Sequence, residues 1–459
     1  MADTSPSPGS TGKRLDRRAV GPAVVIGSAL EWFDFYLYAS MAALVFGPVF
    51  FPGESSVAGT LASIATFAVG FLVRPLGGIV FGHLGDRIGR KKVLSLTFLL
   101  MGVSSGLIGL IPSYASIGVF APVLLVLLRL TQGLGAGAEF GSAVAVAYEH
   151  AGVRTRGRLG SWPALGVNIG LFVSSLTVTV LTTTNREFLL TWGWRIPFIA
   201  SFALVVLGIW VRARMPETPA FEAVRQCGAG DRRAPLRTLL ARDWRGLLVV
   251  AMVTVGYLGS SYLFKTFSLS YLTEFRGVAA GVGALGVTLA SAVAIVTVPI
   301  AGRLCDRFDS RQVQVAGAAG IAALAFPFFW ALDTGAPWLI WAVLILGTGV
   351  IMPAMLAASG SFYAGQFPAE VRASGLGTGR ETGGIAGGLA PLLAFALVAV
   401  MPGNATWGVS ILFLAFAVLV VVGTFWDQRS RVEDRERARG LPAAEPVTPV
   451  TAERGSDAG

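Results

Sequence analysis

Histidine and cysteine are almost missing from this chain of 459 residues, which has two of each: His83, His150, Cys227 and Cys305. None of the four stands at a metal-ligand spacing from another, so no zinc site is expected. Both cysteines fall in basic segments expected on the cytoplasmic side, which argues against a disulfide framework. Charge is scarce as well. Only 14% of the residues are charged against 54% hydrophobic, far from the balance of an ordinary soluble domain. The glycine-rich stretch 375–388 contains no Lys-Ser/Thr element and is therefore not a phosphate-binding loop. No cluster of metal-binding acids and no soluble output domain is evident, so neither a cofactor nor an enzyme is expected.

Apolar length dominates. Twelve long apolar runs lie at about 20–47, 57–82, 93–111, 119–149, 158–183, 194–212, 246–273, 279–303, 312–331, 337–363, 371–400 and 405–426. Each is near the length of about 20 residues that crosses a bilayer, which predicts an all-α polytopic membrane protein with twelve transmembrane helices. Lysine and arginine crowd into alternate gaps, at Lys13 to Arg18, Arg87 to Lys92, Arg154 to Arg158, Arg212 to Arg245, Arg303 to Arg311, Arg372 and the tail from Arg429. Basic residues beside spans stay on the cytoplasmic side, so both termini are expected inside. The formal charge of +10 then reads as topology. It is spread over membrane-flanking loops, which points to anionic lipid as a partner and away from nucleic acid.

The same reasoning divides the chain. Residues 1–19 form a polar cytoplasmic amino end with no short apolar core before a cleavage site, so the first span is expected to be retained. Two six-helix bundles, 20–212 and 246–426, flank a cytoplasmic linker, 213–245, that is arginine-rich and broken by Pro216, Pro219 and Pro235. Residues 427–459 form a cytoplasmic tail whose Pro/Ala/Thr segment is expected to be disordered. The bundles echo each other: Gly82-His-Leu-Gly-Asp-Arg87 after the second span returns as Gly302-Arg-Leu-Cys-Asp-Arg307 after the eighth. A duplicated unit implies two pseudo-symmetric halves around a central path.

Residues Gly82 to Lys92 resemble the loop between spans two and three of the major facilitator superfamily. Within it, 27–36 (Gly-Ser-Ala-Leu-Glu-Trp-Phe-Asp-Phe-Tyr), 74–78 (Arg-Pro-Leu-Gly-Gly), 192–198 (Trp-Gly-Trp-Arg-Ile-Pro-Phe) and 216–221 (Pro-Glu-Thr-Pro-Ala-Phe) look like the metabolite:proton symporter family. The resemblance spans about residues 20 to 426 and looks closest to shikimate-type carriers. It implies the major facilitator fold in the inner (plasma) membrane, as a monomer importing a small polar carboxylate with protons. A proton-driven exporter and a proline/betaine carrier are the alternatives.

Charges inside the spans mark candidate sites, because one charge at mid-bilayer costs about 2.5–3.5 kcal/mol on insertion scales. Glu31, Asp34 and Tyr38 share one face of the first span, and Arg129, Gln132 and Glu139 share a stripe of the fourth. At about 1.5 Å per residue, Arg129 and Glu139 are too far apart to pair, so each needs a partner elsewhere. Arg129 is expected to hold ionised Asp34 or to bind a substrate carboxylate. Glu31, Asp34, Arg129 and Glu139 are the proton-coupling candidates. Substrate candidates are Tyr38, Arg129, Gln132, Asn168, the span-seven stripe Tyr257, Ser261 and Lys265, and Arg380 with Glu381. Relatives in the family more often have Tyr-Gln where this chain has Arg380-Glu381, and lysine is unusual at 265. These departures indicate a more strongly anionic substrate, or else structural roles for the three residues. Gly82, Gly85, Asp86, Arg87, Gly89, Arg90, Asp306 and Arg307 are assigned to a cytoplasmic gate, where an aspartate accepts from a facing helix amino end.

Overall fold

A computed structural model describes residues 17–53, 55–88, 90–137, 144, 148, 155–183, 185–213, 239, 241–368, 371–429 and 432. Among these residues all regular structure is helical. In the amino-terminal half the spans are α1 (Arg17–Leu44), α2 (Ser56–Leu72 continued by Arg74–Ile88), α3 (Arg90–Leu110), α4 (Phe120–Ala136), α5 (Arg156–Gly160 and Trp162–Thr183) and α6 (Leu189–Gly193 and Arg195–Ala213). In the other half they are α7 (Trp244–Tyr262, Leu263–Phe267 and Ser268–Glu274), α8 (Ala280–Phe308) and α9 (Ser310–Leu324 and Pro327–Asp333). There follow α10 (Pro337–Leu344, Ile345–Ile351 and Met352–Ala364), α11 (Arg372–Val400) and α12 (Trp407–Phe425). Helix is what this composition demands, since in hydrocarbon every backbone polar group must find its partner within the segment.

Departures from straight helix have local causes. α2 breaks at Val73, just before Arg74-Pro75, and α9 bends by 44° ahead of Pro327. α7 and α10 each contain a π-helical turn, Leu263–Phe267 and Ile345–Ile351. Such turns are uncommon and concentrate at functional positions. The first of them carries Lys265.

Helix partners reveal the duplication directly. α1 packs along α5 as α7 packs along α11, α3 along α6 as α9 along α12, and α2 along α4 as α8 along α10. The two halves meet through α5 against α8 and through the equivalent pair, α11 against α2. This is the twelve-helix, two-bundle arrangement expected from the spans and the repeat.

Contacts cross the interface between the halves near both of its ends. At the end carrying the basic segments, the Asp306 carboxylate at the close of α8 accepts from the backbone N–H of Gly157 at 2.7 Å and of Arg158 at 3.3 Å, capping the first turn of α5. A Cβ on Gly360 of α10 would fall 2.5 Å from the Gly160 carbonyl, so the backbones touch there. At the opposite end, Thr60 donates to Glu274 at 3.1 Å and Ser270 to the Ala43 carbonyl at 3.3 Å.

The turn after α8 is tied to the residues that follow α12. Asp309 adopts φ 72°, costly for a non-glycine residue. Its carboxylate caps α9 through the Arg311 N–H and takes a forked contact from Arg429, at 2.7 and 3.1 Å. Burial raises the Asp309 pKa, but Arg429 outweighs it and holds the carboxyl below its ordinary range. A depressed carboxylate contributes stability above its unfolded pKa and loses it as the pH falls through the folded value. Asp309→Asn keeps the cap and removes the charge. It is expected to lower Tm slightly near neutral pH, by less than about 1 kcal/mol for a pair this exposed. The gap from wild type closes as the pH drops below the carboxylate range, which a pH series of thermal melts checks.

Candidate functional site

Between these two sets of contacts, the halves meet across a belt of aromatic rings holding charges that hydrocarbon would not tolerate. Arg74 follows the break in α2 and is 2% exposed. Its guanidinium lies 4.4 Å from the Phe35 ring centre and 4.9 Å from that of Phe71. Across the interface, one oxygen of Glu381 in α11 is 3.7 Å from Arg74, and the other accepts from Arg380 at 2.7 Å. Arg380 faces the Trp32 ring at 5.5 Å. One carboxylate therefore stands between two guanidinium groups, one from each half.

Lys265 is buried in the π turn of α7 and reaches back to α1. Its ammonium donates to the Tyr36 hydroxyl at 3.2 Å and lies 4.6 Å from that ring's centre. Among the described residues no carboxylate is within ion-pair distance of it. Cation–π attraction offsets part of the desolvation cost of such a charge, but a buried ammonium normally demands an anion.

A second network lies inside the amino-terminal half. Asp34 accepts from Ser201 of α6 at 2.5 Å and is hydrogen-bonded to Ser105 of α3. Ser105 accepts in turn from the Gln132 amide at 2.7 Å, and the Gln132 carbonyl accepts from Arg129. The expected direct pairing of Asp34 with Arg129 is not formed. Asp34 faces α3 and α6, whereas Arg129 is held between the rings of Phe35, Tyr38 and Phe67, at 4.7, 4.2 and 5.1 Å. Serine and glutamine span the gap. Donors run in one direction from the guanidinium toward the Asp34 carboxyl, so when Asp34 is ionised a cation and an anion stand at opposite ends of one polarised chain. Phe35 contacts both Arg74 and Arg129, so a single ring separates this network from the belt.

The remaining candidates are distributed as follows. Tyr38 shares a 2.6 Å hydrogen bond with Thr66 of α2, and Glu31 is buried on α1. Tyr257 and Ser261 are buried on α7. Asn168 donates to the Ala164 carbonyl of its own helix at 2.8 Å, on the stretch of α5 whose glycines at 166 and 170 press on α1. Arg307 is exposed and stacks 5.1 Å from Phe308, away from the contact that Asp306 makes. Glu139 and Gly89, and the side-chain positions at Gly82, Gly85, Asp86, Arg87 and Arg90, lie outside the described residues. Sequence reasoning missed Arg74, although an arginine inside the second apolar run was a signal as strong as Arg129. Trp32, Phe35 and Tyr36, aromatic residues of α1 that shape a cavity or merely pack as far as sequence alone tells, stand against the charges of the belt. Among the described residues no group of three His, Cys, Asp or Glu could hold a metal ion.

Comparison with known proteins agrees with this architecture. Residues 24–391 match the family model of the Major Facilitator Superfamily. The chain is 39% identical over 386 residues to the inner membrane metabolite transport protein YhjE of Escherichia coli, covering 82% of this chain and 87% of that one. It is 36% identical over 408 residues to the shikimate transporter of the same organism, covering 88% and 93%. Against the proline/betaine transporter of Salmonella typhimurium it is 36% identical, covering 83% and 78%. Among solved structures, the proton:xylose symporter XylE bound to 6-bromo-6-deoxy-D-glucose superposes with a TM-score of 0.68 at 17% identity, covering 90% of this chain and 95% of that one. These similarities join the duplicated twelve-helix fold and its charged interface: the chain belongs to the Major Facilitator Superfamily, as a membrane transporter of the metabolite:proton symporter family and not an enzyme.

Proposed function

We propose that this carrier imports a small polar carboxylate together with protons, by alternating access between its two halves. The observation that carries this reading is the charge balance of the belt. Arg74, Arg380 and Lys265 converge there; Glu381 pairs with the two arginines, and among the described residues no carboxylate reaches Lys265. An anionic substrate would supply what Lys265 has no partner for, and by contacting both halves it would favour the state in which they close on it. Asp34 and Arg129 would carry the coupling proton's effect, with Phe35 linking their network to the belt. Asp306, and with it Asp86, Arg87 and Arg90, would latch the cytoplasmic side and release it in the inward-open state. The protein would work as a monomer in the inner membrane with both termini in the cytoplasm.

Proteoliposomes test this. With shikimate, 2-oxoglutarate, citrate and benzoate offered in turn, outside acid is expected to drive uphill uptake of at least one acid, whereas proline and betaine are not accumulated. Uptake driven only by the opposite gradient would identify an exporter. Accumulation of betaine without any acid would overturn the anionic assignment. Lys265→Met, which keeps the length and removes the charge, is expected to raise KM for the transported acid by at least about tenfold, the scale of one lost charge-assisted bond.

A further inference from the structure

We infer that Glu381 is an internal stand-in for the substrate's carboxylate, occupying part of the place between Arg74 and Arg380 that an incoming acid takes over. This rests on the anionic reading above and assigns it a docking group, Arg74. The argument starts from what Arg74 does not have. A guanidinium carries five N–H donors in a plane that suits a carboxylate held by two parallel bonds. Here the Arg74 Nε is buried without a hydrogen-bond partner. Its ion-pair contact, 3.7 Å from Glu381, is beyond hydrogen-bond reach. Rings of Phe35 and Phe71 hold the fork in place at 4.4 and 4.9 Å, so it is oriented without being satisfied.

Glu381 does not satisfy it: its Oε1 accepts from Arg380 at 2.7 Å while its Oε2 stays 3.7 Å from Arg74. It neutralises the pair while leaving the fork open. Two further donors beside it are also buried without partners, the indole N–H of Trp32 and the hydroxyl of Tyr262, and Tyr262 packs 5.5 Å from Phe71. Unmet donors are costly in a native interior. Three in one layer, each from a helix lining the interface between the halves, fit a compact acid that also bears a hydroxyl or carbonyl oxygen. Binding would then be a swap: the substrate's carboxylate takes the Arg74 fork, and Glu381 retires to Arg380. Because the internal acid competes with the external one, it also holds affinity down and eases release.

The test is binding of shikimate, 2-oxoglutarate, citrate and benzoate to purified full-length carrier by calorimetry, for wild type, Glu381→Gln and Glu381→Gln/Arg74→Lys. Removing the competitor is expected to tighten at least one acid by about tenfold or more, the scale of one charge-assisted hydrogen bond. Lysine at 74, which keeps the charge and loses the fork, is expected to reverse the gain. If wild type binds an acid and Glu381→Gln binds it equally or more weakly, the stand-in role is overturned while acid transport stands. If no variant binds any of the four acids, both readings fall. Should Glu381→Gln prove unfolded by size exclusion, the comparison of Arg380→Gln with Arg380→Gln/Glu381→Gln, where charge loss is balanced, must show the same ordering.

Discussion

Asp34→Asn is expected to abolish uphill accumulation while leaving exchange across the membrane intact. Asparagine matches the carboxylate in size and still offers an oxygen to Ser201 and Ser105, so the packing of α1 against α3 and α6 persists. What disappears is the site that can be either charged or neutral. In the ionised state, Asp34 terminates a chain in which Arg129 donates to Gln132, Gln132 to Ser105, and Ser105 to the carboxylate. Protonation removes the negative end, and the cation at the other end loses its counter-charge. Arg129 then relies on the rings of Phe35, Tyr38 and Phe67, one of which it shares with Arg74. Each pH unit is worth about 1.36 kcal/mol, so a two-unit gradient supports about a hundredfold accumulation at one proton per substrate. In proteoliposomes the variant's accumulation ratio is expected to fall to one, with counterflow of labelled acid retained. A variant that still concentrates its acid would remove Asp34 from the coupling step.

The architecture was legible because its causes are written along the chain. Apolar length sets the spans, arginine and lysine mark alternate gaps, and the repeated Gly-x-Leu-x-Asp-Arg element announces two related halves. The placement of Asp306 against the amino end of α5 follows from the same repeat. The site was readable only in part. Asp34 and Arg129 stand out as charges in apolar runs, but their connectors are Ser105, Ser201 and Gln132, residue types found throughout these helices. Pairing also depends on rotation of one helix about its axis relative to another, which periodicity within a single helix does not determine. Arg74 lies inside the expected second span, but the acid it meets, Glu381, belongs to the other half, and no pattern within either run says that the two come together. Lys265 was noticed as an oddity, yet the π turn that aims it at Tyr36 has no sequence signature of its own.

Gly77→Val is expected to prevent stable folding, and Gly377→Ala to be neutral or slightly stabilising. Gly377 lies in α11 with nothing within 4 Å of an added Cβ. Alanine there fills open space and removes unfolded-chain freedom, a gain of up to about 1 kcal/mol. Gly77 is the opposite case. Its Cβ would run into the Leu134 carbonyl of α4, as a Cβ on Gly133 would meet the Gly70 carbonyl and one on Gly137 the Arg74 carbonyl. These three contacts are backbone against backbone, so no side chain can swing aside, and the crossing of α2 over α4 has to open. Overpacking typically costs about 1–3 kcal/mol, more when the backbone must move. The same crossing positions Arg74 on α2 and Arg129 on α4, so separating the helices would also pull the belt apart from the Asp34 network. Size-exclusion profiles after graded heating check both variants. A monodisperse Gly77→Val protein with wild-type heat resistance would mean that the α2 and α4 backbones are not in contact.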